Sequence, residues 1–120
     1  MDHEWLYEDA SGNANALKLD PLSVCTAAYS ERMLLVTVRQ APLAANFLVL
    51  HAPCSSAPRH KSLAFWKDTS DALGKVRGAM ENLFIMADIN GTLGSITSDA
   101  VGPCGADQET LTGTQFRSIV

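Results

Sequence analysis

Leu83-Phe84-Ile85-Met86-Ala87-Asp88-Ile89-Asn90-Gly91 is the stretch on which the reading of this chain turns. Its apolar residues are too few for a helix and are closed by Asn-Gly, so the run predicts a β-strand buried on both faces. Side chains alternate along a strand, which sends Asp88 and Asn90 the same way and Ile89 into the layer beneath. A carboxylate beside an amide suits phosphoester hydrolysis. The carboxylate can orient and deprotonate a water, and the amide can donate to that water or to charge developing on phosphorus. Asn-Gly after a β-rich run is equally a hairpin signal, under which Asp88 is an ordinary strand-end acid. Asn90-Gly91-Thr92 also matches a glycosylation sequon, set aside because no secretion signal accompanies it.

Upstream of this strand, Leu63, Trp66, Leu73, Val76 and Met80 recur at helical spacing with Lys67, Asp71, Lys75 and Arg77 opposite them. They predict an amphipathic helix over Lys61 to Met80, weakened by Gly74 and Gly78 and capped by Ser55 or Ser56. Before it, Arg32 to Arg39 and Asn46 to His51 read as two strands joined through Ala41-Pro42-Leu43 as an antiparallel hairpin. The second of these is nearly all apolar, hence expected to be buried on both faces. His51 closes it directly before Ala52-Pro53 and, if the two apolar strands are neighbours, reaches the cleft of Asp88 to hydrogen-bond a phosphate oxygen. Met1 to Asn15 reads as a loop with a short strand at Trp5-Leu6-Tyr7, and Pro21-Leu22-Ser23-Val24 as another short strand. Thr92 to Val120 is rich in Gly, Ser, Thr and Asp, with a terminal helix expected over Thr112 to Val120. The chain therefore divides into an irregular segment, 1–30, and an α/β region, 31–120, with no internal repeat.

With 120 residues, 47% of them hydrophobic, the chain has the composition of a globular domain or part of one. The longest apolar stretch, Ala41 to Pro53, is well short of the roughly 20 residues of a membrane helix, and the acidic start is unlike a signal peptide. No membrane association and no haem or nucleotide cofactor are expected, and the location is expected to be intracellular, nuclear or cytoplasmic. Cys25, Cys54 and Cys104 form no regular spacing with His3, His51 or His60, so they read as buried or incidental thiols rather than as disulfide or zinc ligands. The net charge of −4 counts against nucleic-acid binding, while Arg59, Lys61, Lys67, Lys75 and Arg77, opposed only by Asp68 and Asp71, count weakly for it.

Taken in order, Phe47-Leu48-Val49-Leu50-His51-Ala52-Pro53, a helix with Ala64-Phe65-Trp66 and Leu73, and the strand ending Asp88-Ile89-Asn90 resemble the central part of the endonuclease/exonuclease/phosphatase (DNase I-like) superfamily. Within it, the order is most similar to the endonuclease module of non-LTR (LINE-type) retrotransposons. There a loop like Leu93-Gly94-Ser95 and Ser98 to Pro103 leads to a helix start like Thr112-Gly113-Thr114. The resemblance implies an α/β fold, a partial two-sheet sandwich flanked by helices. It also implies magnesium-dependent cleavage of DNA phosphodiesters, with Asp88 activating water, Asn90 holding it and stabilising the transition state, and His51 in place of a phosphate-contacting aromatic. Ala87 stands where the family has Gly, and Thr112 where an Asn often precedes the glycine. Family domains are roughly twice this length, and this sequence offers no counterpart of the upstream Asn and magnesium-binding Glu or of the downstream Asp-His pair. The expectation is a truncated, inactive fragment of a nuclease. The alternatives are a phosphatase of the same superfamily and a non-catalytic interaction remnant.

Overall fold

A computed structural model describes residues 4–8, 14–76, 82–94, 96, 102 and 108–120. Two strands, β1 (Glu4–Glu8) and β2 (Ala14–Lys18), pair as an antiparallel hairpin with Glu4 opposite Lys18. A 3-10 turn at Pro21–Ser23 follows, capped by the Asp20 carboxylate, which accepts from the Leu22 amide at 2.9 Å. The chain then runs through β3 (Val24–Ser30), β4 (Met33–Gln40), β5 (Leu43–His51), α1 (Arg59–Gly74), β6 (Asn82–Asp88) and α2 (Leu111–Ile119). Strands β3 to β6 form one mixed sheet in sequence order: the first three are antiparallel, and β6 is parallel to β5. Parallel neighbours need a crossover, and α1 supplies it.

The stretch expected to be irregular, 1–30, thus carries three strands, and β3 belongs to the same sheet as β4. Pro21-Leu22-Ser23 is a turn rather than a strand, because proline at the first position presets its φ and Asp20 closes it. Strand β3 pairs with β4 through a bulge between Thr26 and Ala28, which strengthens the local twist. The expected hairpin is present, with Gln40 opposite Leu43 across Ala41-Pro42.

Both helices lie on one face of the sheet. Met33 and Leu35 of β4, directly opposite Leu50 and Leu48 of β5, pack with Ala52, Trp66, Ala72, Leu73, Val76 and Ile119 into a single apolar core. Phe65, Ile85 and Phe116 lean on its rim, and Ile89 packs into it as strand alternation predicts. Trp66 meets Phe65 edge-on, with ring centres 4.9 Å apart, and Phe116 of α2 at 6.0 Å. Its Nε1 finds no acceptor among the described residues. At the far end of the covered face, Thr37 Oγ1 donates to Asn46 Oδ1 at 2.8 Å, satisfying two buried polar groups across β4 and β5.

Three sequence expectations are corrected here. Neither Ser55 nor Ser56 caps α1. The helix begins at Arg59 behind Pro58, which takes no side-chain cap, and Ser56 Oγ lies 3.0 Å from Cys54 Sγ instead. Proline biases the residue before it towards extended backbone, so Ala57 cannot carry the helix back to the serines. The helix ends at Gly74, with Val76 buried just beyond, and Met80 falls outside the described residues. Finally, neither apolar strand is buried on both faces. Strand β5 alternates between buried Leu48 and Leu50 and exposed Val49, while β6, at the sheet edge, exposes Leu83, Phe84 and Met86.

Candidate functional site

The carboxyl ends of β5 and β6 come together because the two strands are parallel. His51 and Asp88 are the last residues of their strands and are direct register partners. Neighbouring strands lie about 4.8 Å apart and partners in register share a face, so the imidazole and the carboxylate stand side by side. Both are solvent-exposed. In open α/β sheets, the carboxyl edge of parallel strands is where ligands are bound.

Backbone bonds fix this corner. The Ala52 amide donates to the Asp88 carbonyl at 2.9 Å, and the His51 amide donates to the Arg32 carbonyl at 2.9 Å. One Arg32 guanidinium nitrogen donates to the His51 carbonyl at 3.3 Å, a contact to which nothing in the sequence pattern pointed.

Asn90 joins the corner by a different route from strand alternation. Strand β6 stops at Asp88, and Asn90 has φ of 47°, in the left-handed region that asparagine tolerates. Its amide N–H donates to Asp88 Oδ1 at 3.0 Å, closing an Asx turn, and its side-chain Nδ2 donates to the Ala52 carbonyl at 2.8 Å. Asn90 therefore ties the end of β6 to the turn after β5. One N–H of its amide and the side-chain oxygen remain for other partners by the valence of the group. The Asp88 carboxylate is aimed by one oxygen and presents the other.

Beyond Asn90 the described residues 91–94 form a loop that packs against the start of α2. Thr92 N–H donates to Thr110 Oγ1 at 3.0 Å, Thr110 N–H donates to the Thr92 carbonyl at 3.2 Å, and Thr92 Oγ1 donates to the Gln108 carbonyl. Thr110 also caps α2, accepting from Gly113 N–H at 3.2 Å. The approach is close enough to require glycine on both sides. A Cβ on Gly91 would lie 2.6 Å from Thr110 Oγ1, and one on Gly113 would lie 2.0 Å from the Thr92 carbonyl oxygen. The Thr112-Gly113-Thr114 helix start thus packs directly against the loop that leaves the Asp88 strand.

The charges expected to attract a polyanion are partly neutralised. Lys67 Nζ is 2.7 Å from Asp71, one turn on, and this hydrogen bond holds the ammonium pKa above its usual value. Arg77 lies outside the described residues. Arg59 and Lys61, in the first turn of α1, are exposed. Of the thiols read as buried or incidental, Cys25 and Cys54 are free and exposed, Ser56 holds the Cys54 thiol below its usual pKa, and Cys104 falls outside the described residues.

Magnesium takes oxygen ligands, usually one or two carboxylates with waters and substrate phosphates. Among the described residues no three His, Cys, Asp or Glu side chains gather in one place. One oxygen of the Asp88 carboxylate is already engaged by Asn90. This donor set does not by itself fit a magnesium site. Comparison with known proteins found no matching family model, no matching curated protein and no matching solved structure.

Proposed function

We propose that the corner formed by His51, Asp88 and Asn90 is the water-orienting half of a phosphodiesterase site of the endonuclease/exonuclease/phosphatase kind, with DNA as substrate and magnesium as the metal. The observation that carries this reading is the pairing of His51 with Asp88 at the carboxyl edge of two parallel strands, braced by Asn90. The two-sheet sandwich of that superfamily would then be completed by a second sheet against the face away from the helices.

On this reading Asp88 takes a proton from water as the water oxygen attacks phosphorus and the P–O bond to the leaving sugar oxygen breaks, that oxygen taking a proton from solvent. The Asn90 N–H that does not engage Ala52 donates to the water or to the charge growing on phosphorus. The His51 imidazole donates to a non-bridging phosphate oxygen. The donor set does not fit magnesium, so no step is assigned to the metal. Among the described residues no set of magnesium ligands gathers, and this favours a second reading, a non-catalytic interaction remnant.

Plasmid nicking tests the proposal. The chain as it stands is expected to leave supercoiled plasmid intact in magnesium buffer. A longer chain that adds a Glu-bearing strand and an Asp-His pair is expected to nick, with Asp88→Ala abolishing the activity and Asn90→Ala lowering it by about 10²–10³-fold, the usual cost of one transition-state donor. Nicking by the longer chain that survives Asp88→Ala would overturn the assignment.

A further inference from the structure

Of the five asparagines in the chain, Asn90 alone is followed by glycine. An asparagine in that position can consume its own side chain. The Gly91 backbone nitrogen attacks Asn90 Cγ, a C–N bond forms and the bond from Cγ to Nδ2 breaks, the displaced nitrogen leaving as ammonia with the Gly91 proton. Water then opens the cyclic imide at either carbonyl, which yields aspartate or isoaspartate. Glycine favours the attack because no Cβ shields its nitrogen. Gly91 N–H has no hydrogen-bond partner among the described residues, so the nucleophile is available. The group under attack is restrained. Nδ2, the leaving nitrogen, donates to the Ala52 carbonyl at 2.8 Å, and Asn90 N–H donates to Asp88 Oδ1 at 3.0 Å. These bonds hold the residue at φ of 47°, a region sparsely populated outside glycine, so an opened loop would leave it. Contact with α2 keeps the loop closed: Thr92 N–H donates to Thr110 Oγ1 at 3.0 Å, and Thr110 N–H donates to the Thr92 carbonyl at 3.2 Å.

We infer that Asn90-Gly91 is a site of spontaneous deamidation and that the Thr92–Thr110 clasp sets its rate. Ring closure needs Cγ to turn towards the Gly91 nitrogen and Nδ2 to leave Ala52, so it proceeds only while the loop is open. The rate then follows the open fraction of the loop. The product does not restore the corner. A carboxylate in place of the amide cannot donate to the Ala52 carbonyl, and it sets a second negative charge beside Asp88. Because loss of ammonia is one-way, the clasp protects the brace between the end of β6 and the turn after β5. The inference is independent of the hydrolase reading.

Peptide mapping by mass spectrometry, on the intact chain aged in mildly alkaline buffer with and without guanidinium, tests it, with isoaspartate as the diagnostic product. Asn90 is expected to convert in the unfolded chain and to convert at least about 100-fold more slowly in the native one, since opening loses four hydrogen bonds at about 5-fold each. Thr110→Val removes the acceptor shared by Thr92 N–H and Gly113 N–H and should speed native-state conversion by roughly 10–30-fold. Lys67→Ala, which breaks the exposed pair with Asp71 on α1, should leave it within about 2-fold. If Thr110→Val loses its circular dichroism, Thr92→Val decides: it removes the bond from Thr92 Oγ1 to the Gln108 carbonyl and should speed conversion by about 5-fold. Native conversion as fast as in guanidinium, or an unfolded chain that keeps Asn90, overturns the inference. So does a folded clasp variant that converts no faster than the native chain, or Lys67→Ala converting as fast as the clasp variant.

Discussion

Replacing Gly113 by alanine puts one methyl group against the Thr92 carbonyl oxygen at 2.0 Å, where real Cβ atoms never come within 3.0 Å. The carbonyl cannot turn aside cheaply, because it accepts the Thr110 amide. Nor can the helix start, because Gly113 N–H is held by Thr110 Oγ1. The loop and α2 must part by an ångström or more, stretching both Thr92–Thr110 bonds, each worth about 1 kcal/mol net. Strain from an added methyl in a tight site costs about 1–3 kcal/mol, and better helix propensity returns up to about 1 kcal/mol. The sum is a destabilisation of roughly 2–4 kcal/mol. With a urea slope of about 2 kcal/mol/M, the middle of the range for small chains, the midpoint should fall by roughly 1–2 M. Urea unfolding followed by far-ultraviolet circular dichroism measures it. Gly74→Ala is the matched control. Nothing lies within 4 Å of its Cβ position, at the last turn of α1, so the same change there should stabilise by about 0.5–1 kcal/mol. If Gly113→Ala stays within about 0.5 kcal/mol of the native chain, the surface-substitution range, α2 does not dock on the loop after Asp88.

The two faces of β4 give a further check. Leu35→Ala, in the core, should cost about 2–5 kcal/mol, and Leu34→Ala, 41% exposed beside it, should cost clearly less; equal losses in urea unfolding would mean that the strand register is wrong. Glu109 gives a pH test. Arg117, 3.1 Å away, and the Thr114 hydroxyl hold its carboxyl below the usual carboxylate range. Because the folded pKa is depressed, the stabilisation is present above the ordinary value of 4.5 and is lost as pH falls through the lower, folded value. The stability gap between the native chain and Glu109→Gln should therefore shrink in acid, and a gap that widens as pH drops would refute the pairing.

Strands β4 and β5, helix α1 and helix α2 were legible because each carries a strong apolar period or run. Strand β2, Ala14-Asn15-Ala16-Leu17-Lys18, was not, since only one of its residues is a large apolar one and none is β-branched or aromatic. Strand β3 opens after a proline turn and is interrupted by a bulge, so its alternation is broken. The run in β6 was read correctly as a strand but wrongly as a buried one, since it lies at the sheet edge with Leu83, Phe84 and Met86 exposed. An edge strand with apolar residues on both faces has the same sequence signature as an interior strand, and only tertiary context separates them. In the candidate site, His51 and Asp88 were singled out as strand ends, and the neighbour relation that joins them followed from the crossover. Asn90 was expected beside Asp88 by period-2 alternation, whereas an Asx turn through its backbone N–H ties it to Asp88 and its side chain reaches the Ala52 carbonyl.

Pairing direction is what gives this corner its chemistry. Had β6 returned as a hairpin partner of β5, Asp88 would lie at the opposite end of the sheet from His51. The α1 crossover instead brings both carboxyl ends to one edge, where Ala52 N–H can reach the Asp88 carbonyl and Asn90 can reach back to Ala52. The same crossover draws both helices onto one face, which concentrates the core around Trp66 and leaves Phe47, Val49, Phe84 and Met86 facing out on the other. The Thr92–Thr110 clasp holds the loop just beyond Asp88, so the corner is braced from α2 as well as from β5.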